Sequence, residues 1–447
     1  MFRRGRARML VHGPRPTARG WAIFAAGLVV LAAAATWGRQ DLLLIGLALA
    51  LLPLGSMMIV ALTRPRLGVS RSISPGVIAA GDEATVSMTL TNPQGQLTAS
   101  TAWRDLMPGG IQAQRAERLR LAGASGTRFL NGTGPLAVQH RVRANARGIY
   151  DIGPMVIMRR DPFGLAGCEY ALGPVKQLVV TPIIDTTADE EPVTIGGDGS
   201  EHQVLRRTSP GADELIAREY RNGDPLRRVH WRATARLGEL MVRQEEQRSN
   251  PEAWIVFDTR RAEPGEARHP LATDSTDATF ERAVTLVASL GVKLINAGYR
   301  VNVLETGAAQ LAVRGGSSRS GRAGGLAPAF EMPGGERSLL VGLAGIRQRR
   351  TQNPGYAAEL MGSLHRAGGA VPVFAVILNE YDGMAASLAP VAAVSDVSVA
   401  FLLDAGAADL DTPLTAAGWH CVPFGHGAEL GTAWRAARFS RQAVDRV

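Results

Sequence analysis

The residues best able to do chemistry fall in one stretch, Gly211 to Glu246 (GADELIAREYRNGDPLRRVHWRATARLGELMVRQEE). An enzyme built on it, a hydrolase for instance, would use Asp224, His230 and Glu239, the acid and imidazole groups that proton transfer requires. His230 stands beside Trp231 without a Ser or Cys nucleophile at a recognisable turn, so a structural or hydrogen-bonding role suits it better. The stretch is rich in arginine, and guanidinium forks pair bidentately with carboxylates. Glu219, Asp224, Glu239 and Glu245 are the available partners. An ion-pair network bracing this segment and a surface that docks a partner are therefore both open readings. Elsewhere, no GxxxxGK[ST] loop and no HExxH pair occurs, which excludes a P-loop nucleotidase and a zincin. Cys168 and Cys421 are far apart and have no metal-ligand spacing, so they read as small apolar residues.

The elements that must position these residues change character along the chain. Residues 63–185 read as β. Thr85–Thr91 alternates apolar and polar, the period of a half-buried strand, and ends in the turn cluster Asn92-Pro93-Gln94-Gly95. Ala137–Val142, Met155–Met158 and Lys176–Ile184 are further strands, the last interrupted by Pro182. Short strands between Gly/Pro turns predict a small antiparallel, sandwich-like domain. Residues 186–210 read as a linker. From 251 to 447 the rhythm is α/β. AWIVFD at Ala253–Asp258, VPVFAVIL at Val371–Leu378 and VSVAFLLD at Val397–Asp404 are apolar runs typical of buried parallel strands. Tyr299–Leu304 and Trp419–Phe424 add two strands. Helical spacing over Thr276–Ala297, Tyr356–His365 and Glu429–Val444 completes a doubly wound pattern. The Gly/Ser/Arg run Gly315–Gly325 reads as a flexible excursion.

The N-terminus is of another kind. Trp21–Trp37 and Leu42–Leu62 are uncharged apolar runs, joined by Gly38-Arg39-Gln40-Asp41. A hydrocarbon core about 30 Å thick needs roughly 20 such residues, so residues 21–62 are expected to form a two-helix transmembrane hairpin. The net charge of +9 is accounted for here: residues 1–71 hold ten Arg, no Lys or Glu, and Asp41. Residues 72–447 sum to zero, which argues against a nucleic-acid-binding surface. Six Arg precede the hairpin in a basic tail, residues 1–20, while Arg64, Arg66 and Arg71 follow it. By the positive-inside rule both termini are expected in the cytoplasm, with the chain a multi-pass protein of the cell membrane.

The pattern Glu219-Tyr220, Gly223-Asp224, Arg227, Trp231, Ala235-Arg236, Gly238, Leu240 and Val242-Arg243 resembles the signature of the bacterial domain-of-unknown-function family 58. Asp161-Pro162-Phe163-Gly164-Leu165, following Arg147-Gly148-Ile149-Tyr150, is a second motif of that resemblance. The resemblance implies a signature segment over 211–250 and a von Willebrand factor A-like domain over 251–447. It also implies a MoxR-type AAA+ ATPase as partner, with other membrane proteins besides. In such domains a divalent ion is held by Asp-x-Ser-x-Ser after the first strand; here the run is Asp258-Thr259-Arg260-Arg261-Ala262. Arg260 would bring a positive charge to the ion, so Asp258 is expected to be a remnant without metal or other cofactor. The resulting expectation is a non-enzymatic membrane-anchored adaptor or assembly factor. Glu219, Tyr220, Gly223, Asp224, Arg227, Trp231, Arg236 and Arg243 are its docking or structural signature.

Overall fold

The computed structural model describes residues 9–62, 68–91, 102–108, 111–113, 136–187, 216–219, 229, 231–244, 251–261, 273–311, 328–351, 353, 355–366, 371–381, 383–403 and 407–439. The chain divides into two compact units, Met1–Pro182 and Ile183–Val447.

In the first unit, strand β1 (Met9–Pro16) leads into helices α1 (Ala18–Trp37) and α2 (Gln40–Leu62). The basic tail thus contains a strand that its arginines concealed. Thr17 caps α1, its hydroxyl accepting from Gly20 N at 3.2 Å, and Gly38 ends it in the left-handed region. Both helices are long and apolar enough to cross a membrane. They pack through small residues: a Cβ on Gly27 would stand 2.6 Å from Ala50 N, and one on Gly46 2.8 Å from Leu31.

Ten further strands complete this unit. They are β2 (Gly68–Ser74), β3 (Val77–Ala79), β4 (Glu83–Thr91), β5 (Ala102–Asp105), β6 (Ile111–Ala113), β7 (Leu136–Ala144), β8 (Gly148–Ile152), β9 (Met155–Arg160), β10 (Ala166–Leu172) and β11 (Lys176–Thr181). They form sheets of order β1-β10-β9-β5, β2-β4-β7-β6 and β3-β11-β8. The pairs are antiparallel as expected, except β3 with β11, which is parallel. β4 buries Ala84, Val86, Met88 and Leu90 in a core shared with Val138, Val142, Ile152, Ile157 and Leu178, and turns its polar residues away from it.

Arg71, counted above as a flanking charge, is buried instead. Its Nη2 donates to Asp105 Oδ1 at 2.5 Å, with the two side chains 0% and 3% exposed. His140 Nε2 lies 3.6 Å from the other Asp105 oxygen. Burial pushes the His140 pKa down and the Arg71 charge adds to this, against the pull of Asp105. Gly153 makes room: a Cβ there would meet Arg71 Nη1 at 2.4 Å. A buried guanidinium needs its carboxylate, so this cation contributes nothing to the surface charge beside the hairpin.

In the second unit, β12 (Ile216–Glu219) pairs antiparallel with β13 (Met241–Gln244), and α3 (Trp231–Leu237) lies between them in sequence. The larger part begins at β14 (Glu252–Phe257), followed by α4 (Thr273–Asn296), β15 (Arg300–Glu305), β16 (Ala329–Phe330), α5 (Gly335–Ala344) and α6 (Tyr356–Arg366). Then come β17 (Val373–Ile377), α7 (Met384–Val394), β18 (Ser398–Leu402), α8 (Asp411–Ala416), β19 (His420–Pro423) and α9 (Leu430–Phe439). The sheet order is β16-β15-β14-β17-β18-β19, parallel throughout save β16 at the edge.

Alternation along β14 explains its unbroken apolar run. Ile255 and Phe257 enter a core with α4, α5 and α9, while Trp254 and Val256 enter another with α6, α7 and α8. Both faces are covered, so no position needs a polar residue. Asp185, the last residue of the expected β domain, and Thr187, in the expected linker, belong to this unit. Asp185 Oδ2 accepts from Leu430 N at 2.7 Å and Thr187 Oγ1 from Gly431 N at 3.0 Å, which caps α9. The excursion expected at Gly315–Gly325 lies outside the described residues.

Candidate functional site

The chain passes from β14 outward through β15 and β16, then returns to β17 on the other side of β14. Such a reversal marks the place where open α/β sheets form a ligand crevice, here the carboxyl ends of β14 and β17. Asp258 is the first residue beyond β14 and is fully buried. Its Oδ1 accepts from Thr306 Oγ1 at 2.8 Å and from Arg260 N at 3.3 Å. Its Oδ2 accepts from Leu378 N and Asn379 N, both at 3.2 Å. One carboxylate therefore ties together the ends of β14, β15 and β17. Burial raises its pKa from 3.8 to about 6, against the lowering effect of these four donors.

The residues do not fit a divalent ion. A carboxylate offers about four lone-pair directions, and the four donors around Asp258 take them. Arg260 occupies the first of the two serine places of the metal-binding pattern. Its guanidinium carbon lies 4.4 Å from the centroid of the Tyr381 ring, a cation–π contact. Tyr381 in turn donates its hydroxyl to Arg260 O at 2.7 Å. Ala262 lies outside the described residues. No group of three His, Cys, Asp or Glu that could hold a metal occurs among the described residues. Asp258 thus acts as a brace.

Glu305, the last residue of β15, is a second buried carboxylate at this end of the sheet. Its Oε2 accepts from Gln310 N at 2.6 Å and Leu311 N at 3.0 Å, and burial raises its pKa. Thr306, Asn379 and Tyr381 escaped the sequence reading. Each lies within a few residues of the carboxyl end of a strand beside the chain reversal, a position that strand order alone would have singled out.

The signature segment is described in part. Pairing of β12 with β13 sets Glu219 opposite Met241 and Arg243 opposite Ala217. α3 ends at Gly238, whose φ of 80° suits glycine, and Thr234 accepts from Met241 N at 3.0 Å to join helix and strand. Val229 and Met241 are buried, whereas Trp231 is 68% exposed and Arg236 and Glu239 are exposed. An exposed tryptophan on a short, internally braced helix does nothing for the core. Tyr220, Gly223, Asp224, Arg227, His230 and Glu245 lie outside the described residues, as do the side chains of Glu219 and Arg243. The proposed triad of Asp224, His230 and Glu239 is therefore seen only at Glu239.

No curated protein matches the chain. The profile of the family described as protein of unknown function DUF58 matches residues 216–410, which span β12 through the turn before α8. Over that region, signature segment and sheet together, the chain is similar to the DUF58 family.

Proposed function

We propose that the protein is a non-enzymatic, membrane-anchored adaptor or assembly factor whose second unit docks a partner, a MoxR-type AAA+ ATPase. The observation that carries this reading is the braced crevice. Where a ligand-binding α/β unit would leave donors open, Asp258 is saturated by four internal hydrogen bonds. What remains is a rigid surface with an outward tryptophan and arginine, the residue types that dominate binding energy at protein interfaces. Edge strand β16, antiparallel beside a doubly wound parallel sheet, supports a von Willebrand factor A-like reading of this unit. The core shared by β4, β7, β8, β9 and β11 of the first unit supports a sandwich-like reading of that one. Arginines at both outer ends of the helix pair favour cytoplasmic termini.

Affinity capture of the full chain from solubilised membranes tests the proposal. The ATPase is expected with the native chain and depleted with Trp231→Ala, which should cost about 2 kcal/mol or more if Trp231 anchors the interface. Failure to recover any such ATPase with the native chain would overturn it.

A further inference from the structure

The motif Asp161-Pro162-Phe163-Gly164-Leu165 forms the turn between β9 and β10, and its construction is explicit. Asp161 accepts from Phe163 N at 3.0 Å and from Ala166 N at 2.6 Å. Gly164 adopts φ 72°, which glycine permits without strain. The turn is fastened to the start of α1: Thr17 N donates to Leu165 O at 2.8 Å, and Thr17 Oγ1 to Gly164 O at 2.7 Å. Gly20 allows the approach, since a Cβ there would stand 2.1 Å from Leu165 O. The adjoining strand is held to α2 as well, Tyr170 donating its hydroxyl to Val60 O at 2.9 Å. The turn is thus fixed at one end of the helix pair.

That end has a depth. From Thr17 to Trp37 the helix rises about 30 Å at 1.5 Å per residue, the thickness of a hydrocarbon core. Trp21, 59% exposed, lies one turn in from Thr17. Leu165 is buried, yet Phe163 beside it is 65% exposed. Three exposed arginines surround this tip. Arg15 and Arg160 both lie opposite Gly167 in register and so share one face of the sheet. Arg19 is on the first turn of α1.

We infer that this turn is a lipid-anchoring element: Phe163 enters the boundary between headgroups and acyl chains, and Arg15, Arg19 and Arg160 engage the phosphates of anionic lipids. An aromatic flanked by basic residues is the composition that binds such interfaces. The inference rests on the reading that α1 and α2 span a bilayer. It gives the exposed phenylalanine a partner, and makes the first unit a platform seated on the membrane.

The test uses the full chain carrying Cys421→Ser, with Cys168 left in place because it is buried. An environment-sensitive fluorophore is attached at Phe163→Cys or, separately, at Val29→Cys near the middle of α1. The chain is reconstituted in phosphatidylcholine vesicles with and without phosphatidylglycerol. Spin-labelled lipids, with the label high or low on the acyl chain, serve as quenchers beside aqueous iodide. The probe at 163 is expected to be quenched most by the high label, and more so with phosphatidylglycerol. Arg15→Gln with Arg160→Gln should remove that lipid preference; a preference left unchanged would overturn the role of the arginines. Iodide quenching dominant at 163, with position 29 quenched by the low label, would overturn the anchor and leave the spanning helices standing. Iodide quenching at both positions would overturn the spanning reading itself.

Discussion

Asp258→Asn should abolish a pH dependence of definite sign. The carboxyl group titrates near 3.8 in the unfolded chain and at about 6 when folded. The folded state therefore binds a proton more readily, and the group stabilises the second unit as pH falls from 6 toward 3.8. A shift of about two units corresponds to about 3 kcal/mol at roughly 1.4 kcal/mol per unit, of which about 2 kcal/mol develops between pH 7.5 and 4. Asparagine does not titrate, and its amide can satisfy only one of the two donor pairs around Asp258, so the variant also has a fixed cost. That cost cancels when the native chain and variant are compared across pH. Hydrogen exchange of the β14 and β17 peptides, measured at each pH in the solubilised full chain, reads the difference. The native chain should gain about 2 kcal/mol of protection over the variant between pH 7.5 and 4. A flat difference, or a loss on acidification, would mean that the four hydrogen bonds outweigh burial and that the reasoning is wrong.

The first unit should respond to acid in the opposite sense. The His140 pKa lies below 6.5, so the unfolded state binds the proton more readily and stability is lost as pH falls through that value; exchange in β7 should rise on acidification, and His140→Gln should flatten the response. Asp105→Ala should cost about 3–5 kcal/mol by leaving the Arg71 guanidinium buried without its carboxylate, seen as a lower thermal midpoint in detergent. Gly46→Leu should force α1 and α2 apart, since a Cβ at Gly46 already meets Leu31 at 2.8 Å; overpacking of about 1–3 kcal/mol would appear as a lower unfolding midpoint. Trp231→Ala should change stability by no more than about 0.5 kcal/mol, as expected for an exposed side chain, checked by the same unfolding assay.

Much of this architecture was legible in the residues because its elements carry strong patterns. β4 alternates along its whole length, and β14, β17 and β18 are apolar because two helical layers cover them. Where pattern failed, a physical reason is visible. β1 lies among arginines and pairs with β10 through an irregular register, so no alternation marks it. α7 contains Pro390, which reads as a breaker, and its alanines show no polar face. Arg71 looked like a flanking charge because its carboxylate, Asp105, is far away in sequence. At the crevice Asp258 was legible, since it ends an apolar strand. Its donors were not legible: three of the four are backbone amides, which leave no trace in residue type, and two come from a strand end about 120 residues away.

Photocrosslinking in growing cells, with a photoreactive amino acid at position 231 of the full chain, tests the central claim most directly. The account predicts a covalent product containing an AAA+ ATPase of the MoxR type, formed at the membrane. Crosslinks from position 231 that contain no such ATPase would contradict it.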